Sequence, residues 1–328
     1  MQTLPASLRI GVLRGGPSQE YDVSLKSGAN VLKNLAETHT AVDIFISKDG
    51  KWHIQGVERS PKRILKNVDV VFNALHGAYG EDGQVQEVLN HHGVPYTGSG
   101  RFESAMAMNK WITKEIAQEV GIKTPIAMLV RESDPLSNKA RDIFNSMPHP
   151  LIVKPRDGGS SLGIHKVDSY QELLSALENV LSEHKSAVVE EYISGKEATC
   201  GVIENFRGQD TYSLPPVEIV PPKGKLFDYD SKYSGGSSEI CPGNFTVEEK
   251  KEIERVSRLI HDRLGLRHYS RSDFIVSPKR GVYFLEVNSL PGLTNESLFP
   301  KSLKAIGSSV KEFLHHTLHL AHKTGVWI

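Results

Sequence analysis

The sequence predicts a parallel α/β layer followed by strand-rich α+β units, divided into two or three domains. Three observations carry that prediction. Strands and helices alternate over roughly the first hundred residues, as they do when helices cover a parallel sheet. After Thr124-Pro125 the pattern becomes strand-rich, with one interrupting helix. Towards the C-terminal end, two strands that should be buried carry acids, an amide and a cation. At 328 residues the chain can bury a substantial core.

The elements follow in order. Leu8 to Leu13 reads as a short buried strand running into Gly15-Gly16, and a helical pattern follows, its apolar side marked by Val23, Val31, Leu32 and Leu35. Val68 to Leu75 is a second strand ending at His76-Gly77; a helix from Gln84 to His91, a short strand Val94 to Thr97 and the loop Gly98-Ser-Gly100 come next. Functional loops of such a layer lie at the carboxyl ends of its strands, where Glu20 and His76 fall. One helix is expected from Glu103 to Val120, with Met106, Trp111, Ile116 and Val120 inside. Strands at 126–130, 151–154, 163–167 and 187–192, with a helix from Tyr170 to Glu183, make a smaller α+β unit, and residues 134–149 read as a loop-and-helix linker. The remainder holds a strand at 200–204, a polar loop at 228–243, a helix from Thr246 to Leu264, a hairpin and a terminal helix from Lys301 to His322.

Composition narrows the function. Lys plus Arg and Asp plus Glu both number 39, so no basic excess points to nucleic acid or to a membrane surface. No uncharged apolar run is long enough for a bilayer, and the N-terminus lacks signal-peptide character. Two cysteines, Cys200 and Cys241, are too few for a disulfide framework or a metal knuckle. A cytoplasmic protein is expected, with Cys200 a core residue.

The chemistry begins in the hairpin. Arg271-Ser-Asp273-Phe-Ile-Val and Gly281-Val-Tyr-Phe-Leu-Glu286-Val-Asn288 flank turn residues Ser277 to Gly281. Alternation puts Arg271 and Asp273, and likewise Glu286 and Asn288, on one face of each strand, with Phe274, Val276, Leu285 and Val287 on the other. Two buried carboxylates need counter-charges or a metal. An Arg271–Asp273 pair alone leaves Glu286 and Asn288 unexplained. An all-oxygen donor set suits a hard cation such as Mg²⁺, which usually comes with phosphates.

Further segments fit a nucleotide. Lys154 ends a buried strand and is followed by the loop Arg156-Asp-Gly158-Gly159-Ser160-Ser161-Leu-Gly163, where backbone N–H groups could cradle phosphate or simply turn a hairpin. No P-loop pattern and no G-x-G-x-x-G occurs. Glu190-Glu191-Tyr192-Ile193 leads into a turn and then Glu197; with apolar flanks and exposed acids it reads equally as an adenine-lining hinge or as surface acids at a strand end. Lys232 and Tyr233 sit in a long polar loop of the kind that forms lids.

Taken together these segments resemble the D-alanine–D-alanine ligases of the ATP-grasp superfamily. The resemblance runs in order through Gly-Gly-Pro-Ser-Gln-Glu20, Leu-His76-Gly-Ala-Tyr-Gly-Glu-Asp-Gly83, Met-Asn-Lys110, Val-Lys154-Pro, Gly-Ser160-Ser-Leu-Gly, Tyr229-Asp-Ser-Lys232-Tyr233, Arg271-Ser-Asp273 and Glu286-Val-Asn288-Ser-Leu-Pro-Gly292-Leu-Thr-Asn-Glu-Ser297-Leu298. It implies a three-domain ATP-grasp architecture: an N-terminal α/β domain over 1–100, a central small domain over 101–190 and a C-terminal catalytic domain over 191–328, with ATP between the last two.

The resemblance also implies roles. Lys110 and Lys154 contact phosphates, the backbone of Glu190, Glu191, Tyr192 and Ile193 takes adenine, and Glu197 takes the ribose. Asp273, Glu286 and Asn288 hold two Mg²⁺ ions, with Mn²⁺ able to substitute. One D-alanine is activated as an acyl phosphate and attacked by the amine of a second. Lys232 steadies the transferring phosphoryl group, and Arg271 with the Gly292 N–H forms the oxyanion site. Glu20 meets the first substrate's ammonium and is joined by Ser160 and Tyr233, His76 lies near that substrate, and Ser297 with Leu298 receives the second substrate's carboxylate. A homodimer is the family's habit.

Arg14, Tyr21-Asp22 and Glu296 depart from common family forms, and they bear on the second substrate. D-lactate or D-serine is the alternative nucleophile, and Tyr233 with Leu298 favours an amine. A nucleotide-binding protein without catalysis is the alternative of another class. Lys232, Arg271, Asp273, Glu286 and Asn288, all in place, argue against it, since a protein without catalysis has no need to keep buried charges.

Overall fold

A computed structural model describes residues 8–35, 39–159, 163–220 and 238–324. Its first sheet is built from β1 (Arg9–Gly15), β2 (Thr40–Ile46), β3 (Trp52–Ile54), β4 (Val57–Glu58) and β5 (Val70–Asn73), in the order β4-β3-β2-β1-β5. β1 runs parallel to both β2 and β5, and its Ile10, Val12 and Leu13 are fully buried, as a central parallel strand requires. Helices α1 (Tyr21–Leu35), α2 (Pro61–Leu65) and α3 (Gln84–His91) accompany it. β3, β4 and α2 are too short to carry a readable period, and β2, whose Ile44 and Ile46 are buried, is a further element beyond those expected. The expected strand at 94–97 is only an isolated bridge, Val71 to Tyr96. Gly15 has φ +92°, and a Cβ there would lie 2.2 Å from the Ile46 carbonyl oxygen, so the turn out of β1 needs glycine.

The helix expected from Glu103 to Val120 is two helices, α4 (Arg101–Met108) and α5 (Lys110–Glu119). Asn109 breaks them: its side chain accepts the Trp111 and Ile112 N–H groups and caps α5. The break turns Lys110 and Lys114, four residues apart, onto the buried face of α5.

The second sheet contains β6 (Ala127–Arg131), β7 (Leu151–Pro155), β8 (His165–Val167) and β9 (Ser186–Glu191), antiparallel in the order β6-β9-β7-β8. Helices α6 (Leu136–Ser146) and α7 (Tyr170–Glu183) pack on it, α7 opened by a Ser169/Glu172 capping box. Residues 134–149 thus hold the expected helix, α6, but it packs into this unit rather than linking it. Ala140, Ile143 and Met147 belong to the same core as Leu173, Leu177 and Val189.

The third sheet follows, with β10 (Lys196–Phe206), β11 (Gln209–Ser213), β12 (Val217–Val220), β13 (Ser238–Ile240), β14 (Tyr269–Ser277) and β15 (Gly281–Asn288). Its path is β13-β12-β10-β14-β15, with β11 on β10 and every pairing antiparallel. α8 (Val247–Arg263) opens with a second capping box, Thr246/Glu249. The terminal helix expected as one piece is α9 (Leu298–Ala305) and α10 (Val310–Thr324), separated at Gly307, whose φ is +71°. Phe299 of α9 and Phe313 of α10 pack with Tyr269 of β14 in one core that also takes in Ile10 and Phe72 of the first sheet. That shared core ties the first sheet to the third.

Candidate active site

The β14–β15 hairpin forms as its sequence requires. Asp273 pairs with Glu286 and Arg271 with Asn288 in register, so the four polar residues meet across one ladder. A bulge between Asp273 and Phe274 shifts the register, setting Phe274 opposite Phe284. That shift overturns one expectation. Leu285 leaves the apolar face and lines the same cavity as Glu286, while Phe284 takes its place in the core beside Phe274.

The cavity has a volume of about 300 Å³ and is walled by all three sheets. The first sheet contributes Glu20 and His76; the second contributes Lys154, Glu190 and Glu191, and Tyr192 and Ile193 follow directly from it. Glu197, Arg271, Asp273, Glu286 and Asn288 come from the third, and Gly292, Ser297 and Leu298 from the turn after it. Lys110 opens onto a small adjoining pocket shared with Lys154, Gly158, Gly159 and Glu286. The structure thus brings together every described residue expected at the site. Ser160, Lys232 and Tyr233 lie outside the described residues.

The Glu20 carboxylate lies between two glycines: a Cβ at Gly77 or at Gly159 would come within 2.7 Å of its Oε2. Glycine at both positions leaves room for this acid where the first sheet meets the loop after β7. His76 is buried, its Nε2 2.9 Å from Ser27 Oγ and its Nδ1 3.7 Å from Glu81 Oε1. Ser27 Oγ also accepts the Leu293 N–H at 3.3 Å, and Asn30 Nδ2 donates to the Leu293 carbonyl at 2.7 Å. Helix α1 therefore holds the turn that presents Gly292. Ser297 Oγ accepts the Thr294 N–H at 3.1 Å and pairs with Thr294 Oγ1 at 2.8 Å, at the start of α9.

Beyond Gly159 lies a cationic wall, where Lys110 and Lys154 share a small pocket with that glycine. Lys114 Nζ stands 2.8 Å and Lys154 Nζ 3.0 Å from the same atom, Glu190 Oε1, and all three side chains are buried. These are ion-pair distances off the hydrogen-bond direction. Burial pushes the Lys114 ammonium down to about 8, against the pull of Glu190. Burial would raise the Glu190 carboxyl, but Lys114 and Lys154 outweigh it and hold it below the usual carboxylate range. Lys110 Nζ reaches Glu286 at 3.5 Å and donates to the Gly158 carbonyl at 2.5 Å. Here three ammonium groups meet Glu190 and Glu286, a surplus of positive charge that suits a polyphosphate.

Two expectations change. Glu190 and Glu191 are buried rather than exposed. Successive strand residues face opposite ways, yet each acid finds a cation: Lys114 and Lys154 for Glu190, and Arg280 for Glu191 at 2.7 Å. Lys114 was not expected at the site at all. Its spacing of four from Lys110 is the signal, legible once the helix is seen to begin at Lys110. The apolar side chains of Ile152, Ile164, Ile219, Ile275 and Leu285 also line the cavity and could sandwich a flat ring.

Arg271 grips Asp273 twice, Nε to Oδ1 and Nη2 to Oδ2, both at 3.0 Å, and Thr199 Oγ1 donates to Asp273 Oδ1 at 2.6 Å. This fork fixes the plane of the guanidinium at the cavity wall. Asp273, Glu286 and Asn288 supply oxygens of the kind a hard divalent cation takes; here Asp273 is held by Arg271 and Thr199, Glu286 faces Lys110, and Asn288 Oδ1 accepts the Leu290 N–H at 3.0 Å. Among the described residues no three His, Cys, Asp or Glu side chains cluster as a metal cage, so such a cation would draw remaining ligands from phosphate and water. Cys200 is a core residue, as expected; burial pushes its thiol up to about 12. Among the described residues no helix is long and apolar enough to cross a membrane.

Residues 116–319 match the family described as D-ala D-ala ligase C-terminus, and residues 9–64 and 55–99 match its N-terminus. The D-alanine–D-alanine ligase of Burkholderia thailandensis is 37% identical over 316 residues, covering 95% of this chain and 96% of the relative. That of Pelotomaculum thermopropionicum is 36% identical over 321 residues, covering 96% and 97%. Among solved structures, the VanG D-Ala:D-Ser ligase from Enterococcus faecalis superposes with a TM-score of 0.84 at 30% identity, covering 96% of this chain and 99% of that one. The D-alanine-D-alanine ligase from Coxiella burnetii gives 0.83 at 25% identity, covering 97% and 95%. With its three sheets, its cationic wall and its acidic hairpin, this chain belongs to the D-alanine–D-alanine ligase family and has the ATP-grasp fold.

Proposed function

We propose that the protein is an ATP-dependent ligase that joins two D-alanines into D-alanyl-D-alanine for peptidoglycan precursor synthesis. The observation that carries this reading is a cavity lined together by a carboxylate and a histidine, Glu20 and His76, by Lys154 of the lysine wall and by the acidic hairpin. The relatives named as D-alanine–D-alanine ligases support it over nearly the whole length. Domains at 1–100, 101–190 and 191–328 belong to the same reading, with α4 and α5 of the second packed on the third sheet, as do a cytoplasmic setting, where ATP is supplied, and a homodimer.

A carboxylate is a poor electrophile, so the reaction needs activation first. One oxygen of the first D-alanine carboxylate attacks the γ-phosphorus of ATP, and ADP leaves. The amine of the second D-alanine then attacks the acyl carbon, and the C–O bond to phosphate breaks. Catalysis of this kind is mainly positioning and charge stabilisation.

Glu20, beside Gly77 and Gly159, suits the first substrate's ammonium. Lys110 and Lys154 suit phosphate oxygens, and the segment from Glu190 to Ile193, with Glu197, suits adenosine. Arg271, fixed by Asp273, and the Gly292 N–H suit the oxyanion of the tetrahedral intermediate. Ser297 and Leu298 at the start of α9 suit the second carboxylate. Asp273, Glu286 and Asn288 would hold Mg²⁺, or Mn²⁺ in its place, which neutralises phosphate charge when bound. The roles of Ser160, Lys232 and Tyr233 rest on the sequence resemblance alone.

The test is phosphate release from purified protein with Mg²⁺, ATP and D-alanine, run beside D-lactate or D-serine as second substrate. D-alanine alone should support release and dipeptide formation. A D-Ala:D-Ser ligase stands among the structural neighbours, so faster turnover with added D-serine would shift the reading to that nucleophile. Absence of D-alanine-dependent release at saturation would overturn it.

A further inference from the structure

The second sheet joins the rest of the chain through two connectors, and both are fastened to one hairpin turn. The incoming connector runs from Lys123 to Ile126, ahead of β6, and the outgoing one from Glu191 to Gly195, ahead of β10. Arg280, in the turn between β14 and β15, donates from Nη1 to Glu191 Oε2 at 2.7 Å and from Nη2 to Oε1 at 3.0 Å. Glu191 Oε1 also accepts the Ile126 N–H at 3.1 Å, and the Glu191 N–H donates to the Ile126 carbonyl at 2.9 Å, so this carboxylate ties the two connectors together. Lys123 Nζ donates to the Arg280 carbonyl at 3.0 Å, and the Phe284 N–H to the Lys123 carbonyl at 2.9 Å. The Arg280 guanidinium also lies over the Tyr283 ring, 4.9 Å from its centroid.

The outgoing connector is a wall of the cavity: Glu191, Tyr192, Ile193 and Gly195 all line it. Gly195 packs so closely on the hairpin that a Cβ would lie 2.3 Å from the Val276 carbonyl oxygen. Glu191 is 3% exposed at its side chain and Arg280 46%, so the cation sits at the surface and the anion inside. Neither Arg280 nor Lys123 lines the cavity.

We propose that Arg280 is a positioning residue for the nucleotide: through Glu191 it latches both connectors of the second sheet onto the β14–β15 turn and so holds the adenosine wall at its working distance. This rests on the reading of the cavity as a nucleotide site. The bidentate fork is what makes the latch directional, since a lysine supplies charge without fixing the plane of the carboxylate.

The experiment is calorimetric titration of full-length protein with a non-hydrolysable ATP analogue and Mg²⁺, paired with steady-state kinetics. Arg280→Ala should weaken analogue binding and raise KM for ATP by roughly fivefold, with kcat and KM for D-alanine within about twofold of the parent. Arg280→Lys should recover only part of the loss. Glu191→Gln should weaken binding similarly, and the double variant no more than either alone. Added salt should shrink the difference between parent and Arg280→Ala, because the cation is half in solvent. Equal binding by parent and Arg280→Ala, or a fall in kcat with KM for ATP unchanged, overturns the latch and leaves the nucleotide reading standing. No analogue binding by the parent overturns the nucleotide reading itself.

Discussion

Replacing Glu190 by glutamine removes the one carboxylate that two buried ammonium groups share. At 2.8 and 3.0 Å, each pair attracts by roughly 5 to 6 kcal/mol at an effective dielectric of about 20, before desolvation and the repulsion between the lysines are counted. Breaking a buried pair typically costs about 3–5 kcal/mol. Lys114 has an escape, because its ammonium already titrates at about 8. Without Glu190 it loses its proton at neutral pH, which caps its own share of the loss at roughly 1 kcal/mol at pH 7.

The pH dependence follows in sign. A lysine whose folded pKa is lowered adds stability as pH rises from that value to the unfolded one, about 10.5. In Glu190→Gln that window begins lower. The gap to the parent should therefore be about 3 kcal/mol at pH 7 and narrow by roughly 1 kcal/mol by pH 9. Adding Lys114→Met removes the lysine that must give up its proton on folding, so the double variant should be more stable than Glu190→Gln at pH 7, by a margin that shrinks as pH rises towards about 10.5. Urea unfolding followed by fluorescence suits the test, since Trp111 lies on the same helix as Lys114. A double variant less stable than Glu190→Gln at pH 7, with the two losses adding, would refute the coupling.

Other substitutions test the hairpin and the fold. Glu286→Gln should cut D-alanine-dependent phosphate release by at least about 100-fold at low Mg²⁺, with partial recovery at high Mg²⁺; normal turnover would remove the metal role. Gly15→Ala, with φ +92° and a Cβ 2.2 Å from the Ile46 carbonyl oxygen, should destabilise by at least about 2 kcal/mol in chemical denaturation. Gly50→Ala, also at positive φ but with open space around its Cβ, should lose only about 1 kcal/mol, and equal losses would refute the steric account.

Much of the site was legible because its residues break local rules. Acids in an apolar hairpin, a lysine ending a buried strand and a histidine at the end of β5 stand out without coordinates. Lys114 was hidden because 103–120 reads as one periodic helix, and only the Asn109 cap reveals that Lys110 and Lys114 begin a new buried face. Glu190 and Glu191 read as exposed because strand alternation cannot anticipate a cation on each side, one from α5 and one from a hairpin about ninety residues later. Leu285 was misplaced by a bulge, an event of backbone pairing rather than of composition. The breaks at Asn109 and Gly307 and the short strands β3 and β4 were missed for the same reason: they are decided by caps and by neighbours rather than by hydrophobic period.

The central claim is that a carboxylate oxygen of the first D-alanine passes to phosphate before the peptide bond forms. Turnover of carboxyl-¹⁸O-labelled D-alanine with unlabelled ATP and Mg²⁺ tests it directly, with released phosphate analysed by mass spectrometry. Attack on the γ-phosphorus predicts one ¹⁸O in each phosphate formed alongside D-alanyl-D-alanine. Unlabelled phosphate alongside dipeptide would contradict it.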